Sequence, residues 1–309
     1  MVDRAGTGQN ARLKSPTNGT KLQRKPTTPR LPQEPPLEGP TLGHLNRDGI
    51  RIHDPAHFDG MRAAGALAAR ILDDLADKVA PGVTTGDLDA FILEQVESAG
   101  AISATVGYKG YQHASCISIN HVVCHGIPSE KKLRDGDILN IDVTVVVDGW
   151  YGDTSRMFVA GRMSRKAERL IDVTHEALMR GIAEVKPGNT FGDIGAAIQT
   201  FAEGHRMSVV RDFCGHGLGQ VFHAAPNVLH YGRRGAGPRL EPGMFFTIEP
   251  MINLGRPETK VLADDWTAVT KDKSLSAQFE HSVGVTEDGV EIFTLSPGGR
   301  YHPIKGGAT

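Results

Sequence analysis

Between Asp54 and Leu75 the apolar residues Phe58, Met61, Ala64, Leu67, Ile71, Leu72 and Leu75 recur every three or four positions, the period of a helix that buries one face. The spacing predicts a first helix from about Asp54 that ends near Pro81-Gly82. A second is expected after it, capped by Thr85 and carrying Leu88, Phe91, Ile92 and Val96 inward. Strand-like runs follow at Ser115–Ile119 and Ile138–Val147. The order then recurs, with helices over about Ser164–Val185 and Phe191–Gly204, separated by Pro187-Gly188, and strands beyond. Two halves of helix, helix and strands imply an α+β fold, with helices on one face of mixed or antiparallel strands.

The run Asn140-Ile141-Asp142-Val143-Thr144-Val145-Val146-Val147 leads into Asp148-Gly149, the signature of a type I′ turn, and then Trp150-Tyr151-Gly152-Asp153. A two-residue loop would set Val147 opposite Trp150 and Thr144 opposite Asp153. Thr144 and Asp142 share a face, so Asp142 and Asp153 become diagonal neighbours, roughly 7 Å apart at Cβ. Two short carboxylates at that spacing can converge on bound cations. Asp153 capping a turn is the plainer alternative.

Composition adds limits. A formal net charge of −2 gives no general attraction to nucleic acid or to membranes. No apolar run approaches the ~18 residues of a membrane helix, and the start of the chain lacks a secretory apolar core. The cytoplasm is the expected compartment. Cys116, Cys124 and Cys214 form no zinc-finger spacing and are read as reduced. Residues 1–43 carry no hydrophobic period and are rich in Pro, Thr, Lys and Arg, with Pro26, Pro29, Pro32 and Pro35 three apart. They are expected to be a disordered, basic extension, able to adopt polyproline II along a partner surface. A transit peptide fits less well, because the prolines break the helix such peptides use. Residues 44–300 should form the folded domain and 301–309 a tail.

Five residues stand out against their surroundings. Asp142, Asp153, Glu249 and Glu280 interrupt apolar strand-like text, and His216 lies within Cys214-Gly215-His216-Gly217-Leu218-Gly219. A carboxylate on a buried strand is costly unless it is paired or holds a cation. Each residue has a bland reading, a structural histidine or a glutamate bridging an arginine, but together they point to one shared site. Oxygen donors with one imidazole suit divalent Mn, Fe, Co or Zn. His223 offers a second imidazole that would act on substrate rather than on metal.

At these residues the chain resembles the type I methionine aminopeptidases, from about residue 45 to about 300. The stretches that carry the likeness are Gly107-Tyr108-Lys109-Gly110-Tyr111, Cys116-Ile117-Ser118-Ile119-Asn120, Val122-Val123-Cys124-His125-Gly126-Ile127-Pro128, Asn140-Ile141-Asp142-Val143, Gly152-Asp153-Thr154, Gly215-His216-Gly217, Thr247-Ile248-Glu249-Pro250 and Ser274-Leu275-Ser276-Ala277-Gln278-Phe279-Glu280-His281. The resemblance implies the pita-bread fold, an internal pseudo-twofold repeat of helices on a curved antiparallel sheet. It makes 44–300 a catalytic domain that removes the initiator methionine from nascent proteins when the second residue is small, through water activated by two divalent ions. It implies that Asp142 holds one ion, His216 and Glu249 the other, with Asp153 and Glu280 between them. Glu249 would shuttle the proton, His223 would stabilise the oxyanion and His125 would contact the peptide. Thr105, Tyr108, Tyr111, Cys116, Phe222 and Trp266 would join His125 and His223 in binding substrate. Asn120, Val122 and Ser276 match a family site for Na or K. Thr105 stands where some members have cysteine, and His121 where an acidic residue is common. Only 32 residues separate His216 from Glu249, too few for the helical insertion of type II enzymes. The family default is a monomer, and the extension, which has no cysteine, resembles those of some bacterial members and could contact the ribosome or another protein. Two other readings within the fold are a proline-specific peptidase and a binding module that has lost catalysis; the intact ligand set argues against the second.

Overall fold

The computed structural model describes residues 43–300. The expected extension before Gly43 and the 301–309 tail lie outside the described residues.

The first helix, α1, runs Phe58–Asp74. It begins after a single turn of 3-10 helix at Pro55–His57, because proline suits a helix start, where its missing N–H is not needed. It stops well short of Pro81-Gly82. The apolar spacing nevertheless continues, since Leu75 and Val79 are buried on turns closed by Lys78 N–H to the Leu75 carbonyl. Helical α2 spans Thr85–Ser98 and is capped by Thr84, not by Thr85. The Thr84 hydroxyl accepts from Asp87 N–H at 3.0 Å and the Asp87 carboxylate accepts from Thr84 N–H at 3.1 Å, a reciprocal box that Thr85, with Leu88 three residues on, cannot make. Thr85 instead donates to the Ser129 carbonyl.

The hairpin forms as its turn dictates. Strands Ile138–Val147 and Trp150–Val159 pair with Val147 opposite Trp150, Thr144 opposite Asp153 and Asp142 opposite Ser155. Asp148 and Gly149 have φ of 49° and 81°, the two positive values a type I′ turn needs. The other edge of Ile138–Val147 pairs with Cys116–Ile119 and Ile102–Ser103. Gly152 is required on the second strand: a Cβ there would lie 2.3 Å from the Ala64 carbonyl atoms of α1.

In the second half, α3 (Arg165–Ala183) is capped by Ser164, and α4 (Phe191–Gly204) opens on a Thr190/Asp193 box. A five-stranded antiparallel sheet follows, ordered Ala224–Val228, Gly215–Gly217, Phe245–Ile248, His281–Val285, Val290–Ile292. Beside it lie Ser276–Gln278, Met251–Asn253 and Ser208–Val209. The strands are therefore divided among several antiparallel sheets rather than joined in one continuous ladder. Two of the breaks fall at Glu249-Pro250, where proline removes a ladder donor, and at Phe279-Glu280. Helices cover one side of each half. Leu67, Ile71 and Leu72 of α1 meet Ile141, Val143 and Val145, and Leu170, Ile171, Ile194 and Ile198 of α3 and α4 share a core with Phe246, Ile248, Ile252 and Val283. Each such buried side chain contributes about 1.5–3 kcal/mol.

Candidate metal centre

The opposite face of these strands, turned away from the helices, gathers the five residues marked in the sequence. Asp142 and Asp153 project from the hairpin, and the Thr144 hydroxyl donates to Asp153 Oδ1 at 2.8 Å. His216 enters from the short strand Gly215–Gly217, with Nε2 at 3.5 Å from Asp153 Oδ2 and 3.8 Å from Glu249 Oε1. Its Nδ1 lies 3.2 Å from the Gly217 carbonyl; with the proton held there, Nε2 presents a lone pair toward the carboxylates. Glu249 is oriented by the Thr247 hydroxyl at 2.8 Å and the Gln278 amide at 3.4 Å. The two halves are stitched beside these side chains: Glu280 N–H donates to the Ser155 carbonyl, the Thr154 hydroxyl to the Glu280 carbonyl, and the Ser282 hydroxyl to the Asp153 carbonyl.

The electrostatics are those of a site short of positive charge. Burial pushes the Glu249 carboxyl up to about 7, reinforced by Asp153 and opposed by His216. Burial also lifts Asp142 and Glu280 well above the carboxylate range, with the neighbouring carboxylates adding to it. Burial lowers His216, but Asp153, Glu249 and the Gly217 carbonyl together raise it above its ordinary value. Buried Asp142 Oδ1 has no hydrogen-bond partner among the described residues, and donor atoms of Asp153, His216 and Glu280 lie within 4.8 Å of one another. Crowded buried carboxylates with an orphaned oxygen fit a hard or borderline divalent cation, which would satisfy the oxygen and relieve the repulsion.

These groups form the floor of a cavity of about 310 Å³. All eight expected substrate residues line it: Thr105, Tyr108, Tyr111, Cys116, His125, Phe222, His223 and Trp266. His223 packs 4.2 Å from the His216 ring and its Nδ1 is 3.2 Å from the Tyr108 hydroxyl. Burial, with the neighbouring His216, holds it down at about 2, and burial holds His125 at about 4, so both rings are neutral near pH 7. His125 adopts φ of 56° and meets Phe213 and Trp266 edge-on. Lining residues not among those expected from the sequence are Lys109, Cys124, Thr144, Asp212, Phe213, Cys214 and Met251. Thr144 was already placed opposite Asp153 by the register, and Lys109, Cys124 and Cys214 lie within or beside the motifs of Tyr108, His125 and His216; Asp212, Phe213 and Met251 carry no distinguishing signal. His230, fully buried, accepts the Glu249 N–H at 3.1 Å through Nε2. Apart from the cavity, Asn120, with φ of 57°, and Ser276 come together through Ser276 N–H to the Asn120 carbonyl. Val122 opens the next strand.

The model of metallopeptidase family M24 matches residues 59–287. The chain belongs to this family. Among its relatives, the methionine aminopeptidase of Rickettsia prowazekii is 57% identical over 249 residues, covering 80% of this chain and 96% of the relative. That of Escherichia coli K12 is 52% identical over 248 residues, covering 80% and 94%. The crystal structure of the Rickettsia prowazekii methionine aminopeptidase superimposes with a TM-score of 0.79, covering 80% of this chain and all of that one. Within family M24 the chain thus groups with the methionine aminopeptidases, as its motifs implied. A Pyrococcus horikoshii prolidase shares the fold alone, at a TM-score of 0.63 and 18% identity.

Proposed function

We propose that this protein is a methionine aminopeptidase that removes the N-terminal methionine of nascent chains whose second residue is small. The observation that carries this reading is the union, in one cavity, of a carboxylate and imidazole cluster with aromatic and thiol walls suited to a thioether side chain. Asp142, Asp153, His216, Glu249 and Glu280 would hold two divalent ions, drawn from Co, Mn, Fe and Zn; four carboxylates balance two such charges. When bound, the ions supply Lewis-acid polarisation and water activated as nucleophile near neutrality.

The chain's own groups do the rest. Glu249, facing His216 and open to the cavity, takes a proton and returns it to the leaving amine. With the Tyr108 hydroxyl donating to Nδ1, His223 carries its proton on Nε2 and donates to the developing oxyanion. His125 contacts the peptide at the scissile bond, while Tyr111, Cys116, Phe222 and Trp266 enclose the methionine side chain. A bulky second residue would meet the ligand residues, which restricts it to small side chains. Asn120, Val122 and Ser276 would hold Na or K. A monomer acting in the cytoplasm completes the reading; no described helix is long and apolar enough to cross a membrane. The proline-rich extension is assigned to a ribosome or other protein contact.

The test is release of free methionine from Met-Ala-Ser and Met-Leu-Ser by metal-stripped protein, with each metal restored singly. Metal-dependent cleavage of Met-Ala-Ser alone supports the reading; silence with every metal overturns it in favour of a binding module.

A further inference from the structure

Lys109 is the one lysine or arginine lining the cavity among the described residues. It is exposed, and it sits at φ 47°, ψ 32°, a left-handed conformation that a Cβ disfavours. Gly107 and Gly110 on either side have φ of 85° and 84°, which glycine adopts readily, so the strain of the turn falls on Lys109. Such strain gathers at ligand clamps. The turn lifts the Lys109 ammonium over the Tyr108 ring, 5.3 Å from its centre. Tyr108 in turn bonds His223, so the charge stands beside the wall along which the scissile bond must lie. No carboxylate among the described residues pairs with it. The acid at the cavity outside the carboxylate cluster, Asp212, is engaged differently: its Oδ2 accepts from Thr259 N–H and hydroxyl at 3.3 and 2.6 Å.

This inference rests on the aminopeptidase reading. With methionine in the aromatic pocket and a small residue beside the ligands, the third residue is the first to reach the mouth, because an extended chain advances about 3.3 Å per residue. We propose that Lys109 reads the third residue of the substrate and favours an acidic side chain there. An exposed pairing of this kind is worth about two- to five-fold in kcat/KM, and it should weaken with salt as the screening length falls from about 10 Å at 0.1 M to about 3 Å at 1 M.

The experiment compares kcat/KM for Met-Ala-Glu-Ser, Met-Ala-Gln-Ser and Met-Ala-Lys-Ser, all as C-terminal amides so that no terminal carboxylate competes. The metal-loaded full chain, Lys109→Gln and Lys109→Glu are measured at low and high salt. The expected order in the parent protein is Glu over Gln over Lys, compressed by salt, flattened in Lys109→Gln and inverted in Lys109→Glu. An order that survives in Lys109→Gln, or equal rates for the three peptides in the parent, overturns the proposal while leaving the aminopeptidase reading intact. Failure of the parent to cleave Met-Ala-Gln-Ser amide overturns both.

Discussion

Replacing Asp73 by alanine should be among the most damaging single changes outside the metal centre. Asp73 lies in the last turn of α1, and its carboxylate accepts from Arg156 at 2.6 Å, from the Ser296 hydroxyl at 2.7 Å and from Gly298 N–H at 2.8 Å. One buried group therefore ties the first helix to the hairpin and to the end of the described chain. Truncation leaves Arg156, itself 5% exposed, without this counterion. Breaking a buried pair from one side costs about 3–5 kcal/mol, a large share of the roughly 5–15 kcal/mol that holds a domain together. At about 2–4 °C per kcal/mol for a domain of this size, the Tm should fall by roughly 6–20 °C. Thermal unfolding is the assay, at one fixed metal concentration because bound metal raises the apparent Tm. Arg156→Met and the double variant complete a cycle, in which removing both charges should cost less than the sum of the single changes by about 2 kcal/mol. A drop of only ~2 °C for Asp73→Ala, or additive effects in the cycle, would refute the argument that loss of this buried pair dominates.

Glu249→Gln should retain the fold but lose both metal and turnover; undiminished turnover would remove Glu249 from the proton path. His223→Ala should lower kcat about 100- to 1,000-fold with metal content unchanged, as for loss of one oxyanion donor, and metal analysis beside kinetics separates the two variants. His53 is buried against Phe245, their rings stacked at 4.3 Å, and burial first, then the charges of His57 and Arg51, lower it to about 3. The unfolded chain therefore binds a proton that the folded chain refuses, so stability is lost as pH falls from about 6.5 toward 3, at up to about 1.4 kcal/mol per pH unit. Urea unfolding of His53→Leu between pH 7 and pH 5 should show a shallower acid decline than the parent, and parallel curves would contradict this.

How much of this was legible beforehand varied with the kind of signal. Asp148-Gly149 fixed the turn, the turn fixed the register, and the register placed Asp142, Thr144 and Asp153 on one face without help from any relative. The two helical pairs were equally plain in their spacing, but the end of α1 was not, because Leu75 and Val79 keep the helical period on non-helical turns. The misplaced cap of α2 arose from two adjacent threonines, and the acid three residues after Thr84 is what distinguishes them. Glu249 and Glu280 were recognisable as carboxylates out of place in apolar strands. Their convergence on the hairpin, across 125 residues in the case of Ser155 and Glu280, is a matter of long-range topology that no local period encodes; the family motifs carried that step. Met251, Phe213 and Lys109 are ordinary core or loop residue types, visible as cavity walls only once the fold is known.

The stitches between Ser155 and Glu280 and between Asp153 and Ser282 mean that neither half owns the site. During synthesis the hairpin carboxylates are made early and Glu280 comes near the end, so an incomplete chain has no means of setting their spacing. On the proposed ligand set, a chain cut before Glu280 would lack one of the four carboxylates, and a cation drawing the two edges together would close the seam between them.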